Sequence, residues 1–202
     1  NNNSNPTGTV YIAELYTVTG FTPLSGSSST VLTQANFTGL TANTTYYVQV
    51  KAKNHQNIET IYANLGSSVT LTGPPGAQLY SNVTTTTLQT NWTANGSPQG
   101  TLYIAEIDGD ALFGSVDQTS VTVNTYGDFS GLAINTTYYA RVKARNALGT
   151  DTAYTSLAST VTLANPALPA LPTFTLTAIN SLSFQWNNNS NKVCKHDTRR
   201  TS

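Results

Sequence analysis

A single cysteine, Cys194, stands in a chain of 202 residues. No disulfide can form within the chain, so its fold must be held by an apolar core. Charge is scarce as well: Lys, Arg, Asp and Glu make up 9% of the residues, far below the roughly 25% of an ordinary soluble domain. Nine basic and nine acidic residues cancel, and Lys192, Lys195, Arg199 and Arg200 are all crowded into the end of the chain. Without residues 192–202, five basic and eight acidic residues remain, a surface with no electrostatic claim on nucleic acid or an anionic membrane. With only His55 and His196 for histidines, no Ser-His-Asp triad and no His/Cys metal cluster can be assembled. No apolar run is long enough to cross a bilayer, so no membrane insertion is expected.

The polar load is carried instead by Asn, Thr, Ser and Gly, which suits many short strands joined by turns. Residues 131–146, GLAINTTYYARVKARN, recur 92 positions earlier as residues 39–54, GLTANTTYYVQVKAKN. In each copy a strict alternation begins at a Tyr: Tyr46, Val48, Val50 and Ala52, then Tyr138, Ala140, Val142 and Ala144. That period predicts a strand with one wet face. Residues 9–15, TVYIAEL, and 101–107, TLYIAEI, repeat at the same offset and predict a second strand. The divergent stretch between them predicts a loop and then a strand before the corner, over residues 28–33 and 120–124, anchored by Phe37 and Phe129. A last strand is expected at 67–71 and 159–163, followed each time by a proline-bearing linker.

The spacing Leu40, Thr44, Tyr46, Val48, Val50, Ala52, Asn54, and its second copy at Leu132, Thr136, Tyr138, Val142, Ala144, Asn146, resembles the E–F corner and strand F of a fibronectin type III module. The resemblance covers residues 1 to about 191. It implies an all-β chain of two immunoglobulin-like β-sandwiches in tandem, with the Tyr hydroxyl bonded back to the preceding turn. It also implies that residues 9–15 and 101–107 are strand C, neighbours of strand F. Glu14 is then expected opposite Lys51 or Lys53, and Glu106 opposite Lys143 or its Arg neighbours, as cross-strand pairs of about 0.2–1 kcal/mol each. Leu88, Thr90 and Trp92 match strand B. The same element returns 94 residues on as Leu182, Phe184 and Trp186, behind Phe174, Leu176 and Ala178 as a strand A, so two residues have entered at or after the second linker.

The expected organisation is a first module over residues 1–73 that lacks strands A and B, a complete module over 74–166, a linker with strands A and B of a third repeat over 167–191, and a disordered tail of expression origin over 192–202. The string NNNSN stands at 1–5 and again at 187–191. The expectation is a piece cut from a longer, secreted or cell-surface repeat protein. The spare strands would complete the first module, with Phe174, Leu176, Leu182, Phe184 and Trp186 as donor and Tyr11, Leu40, Tyr46 and Val50 as acceptor core. Reach favours a neighbouring chain: in an extended tandem the exit of the second module lies two module lengths, each about 30–35 Å, from the vacancy, and the linker spans about 30 Å at most. The contact is heterologous and self-associating, so it would propagate head to tail into filaments or large rings.

As for chemistry, no catalytic, cofactor-binding or metal-binding residue is expected. Asp108-Gly109-Asp110 falls short of the roughly six oxygens that calcium takes, and reads as a turn. The resemblance implies a non-catalytic spacer or structural repeat. Two other readings remain: a carbohydrate-binding or adhesion module using loops 16–29 and 108–120, and an accessory module of a secreted glycoside hydrolase.

Overall fold

The computed structural model describes residues 4–178 and 181–189, the backbone alone for 171–178. The expected tail at 192–202 lies outside the described residues. The first repeat forms β1 (Val10–Tyr16), β2 (Leu24–Thr30), β3 (Thr45–Lys53) and β4 (Ala63–Val69). The second forms β5 (Gly76–Ala77), β6 (Thr87–Thr93), β7 (Leu102–Asp108), β8 (Gln118–Thr122), β9 (Tyr126–Ser130), β10 (Thr137–Arg145) and β11 (Thr155–Val161). Past the second linker come β12 (Leu168–Ala178) and β13 (Ser181–Asn187). By compactness the chain divides into Asn1–Pro75 with Ala94–Tyr103 and Lys143–Tyr154, and Gly76–Thr93 with Ile104–Val142 and Thr155–Ser202.

The pairs β1–β2, β1–β3, β3–β4, β5–β6, β6–β9, β10–β11 and β12–β13 are antiparallel, and the sheets show the period the sequence dictates. In the second repeat a four-stranded sheet, ordered β11-β10-β7-β8, accompanies a three-stranded sheet, β5-β6-β9. Along β10 the residues Tyr138, Ala140, Val142 and Ala144 are buried and those between them are not. Along β6 the buried set is Leu88, Thr90 and Trp92. With Tyr103, Ile107, Phe129, Leu132 and Leu157 these make the apolar core, and Trp92 and Tyr103 are the largest side chains fully enclosed in it. The corner forms as the resemblance implies, in both copies. The backbone N–H of Ala133 donates to the Tyr138 hydroxyl at 3.0 Å, and that of Thr41 to the Tyr46 hydroxyl at 3.0 Å.

Several expected elements move. Of residues 28–33 and 120–124, the first three of each fall in β2 and β8, which pair with β1 and lie beside β7; they are not the strand before the corner. That strand is β9 in the second repeat, with Phe129 inside it, five residues long and paired to β6 from Thr87↔Ser130 to Asn91↔Tyr126. The last strand of each repeat starts four residues earlier than expected, at Ala63 and Thr155. A nine-residue partner with a tight loop after it pairs at once: Asn54 Oδ1 accepts from the N–H of Gln56 and Ile58, and Asn146 Oδ1 from Leu148 and Thr150. In these loops Asn57 (φ 63°) and Gly149 (φ 83°) hold the left-handed backbone, which Asn tolerates and Gly adopts without cost.

The expected Glu14 pairs are corrected by register. Glu14 lies opposite Gln49, while Lys51 lies opposite Ile12 and Lys53 opposite Val10. Glu106 does meet Arg141, at 2.7 Å.

Candidate functional site

The two repeats share one sheet design and differ in what covers it. In the first, β2-β1-β3-β4 stands as a four-stranded sheet with no counterpart of β5-β6-β9 among the described residues of that repeat. The inward row that is sealed in β10 is half-buried in β3 at Val48, Val50 and Ala52. Tyr11 is half-buried where Tyr103 is enclosed. Leu65 is 64% exposed and its counterpart Leu157 is 3% exposed. The result is an apolar groove of about 310 Å³, floored by Tyr11, Ala13, Val48 and Val50 and walled by Leu32, Phe37 and Leu65.

Of the four residues read as acceptor core, Tyr11 and Val50 line this groove. Tyr46 is buried at the corner with its hydroxyl on Thr41, and Leu40 lies beside it at the exposed end of the corner. Ala13, Val48, Phe37 and Leu65 also line it, although none of them was expected as acceptor core. The 92-residue offset already marked them, since each is the counterpart of a buried residue of the second repeat: Ala105, Ala140, Phe129 and Leu157.

The spare strands form a hairpin, β12-β13, as a two-stranded sheet of its own. Its pairing reproduces that of the second repeat's first two strands. There, Ala77 faces Trp92 and Ser81 faces Gln89. Here, Pro169 faces Trp186 and Thr175 faces Ser183. The first match runs at offsets 92 and 94, the second at 94 throughout, so the two inserted residues are absorbed in β12 at the register shift between Pro169 and Phe174. Leu182, Phe184 and Trp186 share one face of β13 and are exposed by 60%, 60% and 61%. Phe184 and Trp186 meet at a centroid distance of 5.7 Å. Their counterparts Leu88, Thr90 and Trp92 are enclosed.

The opposite face of the β1/β3 sheet carries the polar groups. Lys51 bonds Glu59 at 2.6 Å and lies 4.7 Å over the Tyr62 ring. The second repeat repeats the arrangement with Lys143, Asp151 at 2.9 Å and Tyr154 at 4.7 Å. Arg145 adds bonds of 2.5 and 2.9 Å to Asp151. Hydrogen bonds from Arg145 and Lys143 hold the Asp151 carboxyl well below the usual carboxylate range. Burial pushes the Glu14 carboxyl up, but hydrogen bonds with Tyr16, Tyr62 and Gln49 outweigh it and leave the group below its ordinary value. Arg141 bonds Glu106 and stacks 4.2 Å over Phe113. Each of these acids is held by hydrogen bonds or an ion pair on the polar face of its sheet. Asp108 Oδ1 accepts from the Asp110 N–H at 2.9 Å, which closes the turn read from the sequence. Among the described residues no group of three or more His, Cys, Asp or Glu side chains is placed to hold a metal ion.

No family model matches the chain. The chain is 29% identical over 167 residues to Chitinase A1 of Niallia circulans, a match that takes in 76% of this chain and 23% of that protein. The chain thus spans less than a quarter of the length of this curated relative. Among solved structures, the segment of two fibronectin type III domains from chicken tenascin superimposes with a TM-score of 0.55. That match has 16% identity and covers 79% of this chain and 95% of that one. The FN1–FN3 domains of chicken CNTN1 align over 77% of this chain and 56% of theirs, at 15% identity and a TM-score of 0.39. The tyrosine corner met twice, the strand orders and the tenascin likeness agree: the chain has an all-β fold of fibronectin type III-like repeats in tandem.

Proposed function

We propose that this chain is a non-catalytic structural repeat of a secreted or cell-surface protein, and that copies of it join head to tail by strand donation. In that reading residues 168–187 of one copy supply strands A and B to the first repeat of the next. The observation that carries it is one of fit. The first repeat leaves bare the face that β5 and β6 cover in the second, and the chain carries a spare hairpin paired as β5 and β6 are. Leu182, Phe184 and Trp186 are then the groups that seal Tyr11, Val48, Val50 and Leu65. Burying three large apolar side chains on a waiting apolar face contributes about 1.5–3 kcal/mol each before the entropy of association is charged.

Sedimentation of the full chain over a range of concentrations tests this. Association that grows without limit is expected, together with a monomeric chain when the sequence stops at residue 166. Adding a peptide of residues 167–191 to that shortened chain should stabilise its first repeat. A full chain that stays monomeric at high concentration would sink the proposal.

A second reading is favoured by the match to Chitinase A1: an accessory module in a secreted glycoside hydrolase. Saturable retention of the chain on chitin would support it, and a chain that passes through unretained would argue for the spacer role alone.

A further inference from the structure

We infer that residues 34–38 are a strand in waiting, on which β13 of a second copy forms a ladder in one register, Leu182 opposite Phe37 and Phe184 opposite Ala35. This rests on the strand donation proposed above and says how the partner is read.

In the second repeat β9 exists as a strand through its pairing with β6: Thr87↔Ser130, Leu88↔Phe129, Gln89↔Asp128, Thr90↔Gly127 and Asn91↔Tyr126. The 92-residue offset carries β9 onto Gln34, Ala35, Asn36, Phe37 and Thr38. These residues form no strand, yet they keep the alternation of one: Ala35 and Phe37 are half-buried, and Gln34, Asn36 and Thr38 between them are exposed. Gln34, Ala35 and Phe37 line the groove. A segment with a strand's alternation and no ladder is what remains when its neighbour is elsewhere.

The donor offers the matching edge. In the order β5-β6-β9 the strand β6 has β5 on one side and β9 on the other, whereas among the described residues β13 has β12 as its one neighbour. The edge it leaves open is the one that β6 gives to β9. Carrying the β6–β9 register across, at 94 for the donor and 92 for the acceptor, pairs Ser181 with Thr38, Leu182 with Phe37, Ser183 with Asn36, Phe184 with Ala35 and Gln185 with Gln34. A slip of one residue would turn Leu182, Phe184 and Trp186 to the solvent, so the buried face enforces the register. Phe184 takes the place of Thr90, and its ring enters the groove of about 310 Å³.

Cysteine crosslinking reads the register. In the second repeat the Trp92 N–H donates to the Thr125 carbonyl at 3.0 Å, so 89/128, three places along, is a non-hydrogen-bonded pair with close side chains. Gln89 and Asp128 indeed touch there at 2.7 Å. The corresponding pair, Ser183 and Asn36, is exposed on both partners, so neither substitution burdens a core. All chains carry Cys194→Ser. One full chain carries Asn36→Cys and a second Ser183→Cys, and the two are mixed and oxidised at a concentration where the parent associates. A disulfide-linked pair of unlike chains is expected at least tenfold above that formed when Thr38→Cys replaces Asn36→Cys. Equal yields, or no crosslink while the mixture sediments as multimers, would overturn the register and leave donation standing. A mixture that stays monomeric would overturn donation and the register together. A chain with both Asn36→Cys and Ser183→Cys that closes on itself as a monomer would overturn the second copy as occupant.

Discussion

Leu65 and Leu157 hold one position of the repeat, 92 residues apart, and differ in cover, 64% against 3% exposed. Truncating Leu157 to Ala empties part of a closed core and should cost about 2–5 kcal/mol. Leu65 has only a third of its surface covered. At about 1.5–3 kcal/mol for full burial of such a side chain, its truncation should cost less than about 1 kcal/mol while the face is open. Urea unfolding separates the two. Far-UV circular dichroism follows both repeats, and with Trp186→Phe in the background the fluorescence of Trp92 follows the second repeat alone. Where the chain sediments as a monomer, Leu157→Ala should lower the fluorescence midpoint by about 1 M or more, given slopes of about 1–3 kcal/mol per M. Leu65→Ala should leave both signals close to the parent's. At concentrations that favour assembly, Leu65→Ala should instead weaken association, because its side chain is then covered by the donated strand. Equal costs at both positions in the monomer would refute the reading that the first repeat presents an uncovered face.

Trp92→Ala should destabilise the second repeat by about 3–5 kcal/mol and lower its melting temperature by more than about 10 °C, since the indole is enclosed at the core centre; a drop of a few degrees would mean that the core closes without it. Asp151 gives the pH dependence. Its carboxyl is held below its ordinary value of 3.8 by Arg145 and Lys143. A depressed acid contributes stability that is complete above its unfolded pKa and lost as pH falls through the folded one. Melting temperature should therefore fall below about pH 4 in the parent, and Asp151→Asn should flatten that fall. Because the Lys143–Asp151–Arg145 cluster sits at the partly solvated surface of the sheet, where such pairs contribute little, the difference should be small, and thermal scans between pH 5 and pH 2 would show it.

How much of this was legible beforehand follows from which forces are local. The alternation in β10 and β3, the 92-residue repeat and the Tyr corner are properties of consecutive residues, so the strands, their inward faces and the tandem fold were readable from the chain alone. The two-residue insertion was readable too, as a change of offset from 92 to 94, but its place in β12 was decided by where a ladder can tolerate a bulge. Strand identity between the repeats' C and F strands was not local. Residues 28–33 and 120–124 have the same Ser/Thr-rich pattern whether they pair with β1 and β7 or with a strand B, and hydrogen-bond competition across the sheet chose the former. Glu14 against Gln49 likewise depended on a one-to-one register that no composition reveals. Above all, residues 34–38 and 126–130 have equivalent sequence positions, yet only the second set is a strand. The second set has β6 beside it and the first has no ladder partner among the described residues, and a strand's backbone groups are satisfied by its neighbour and not by itself.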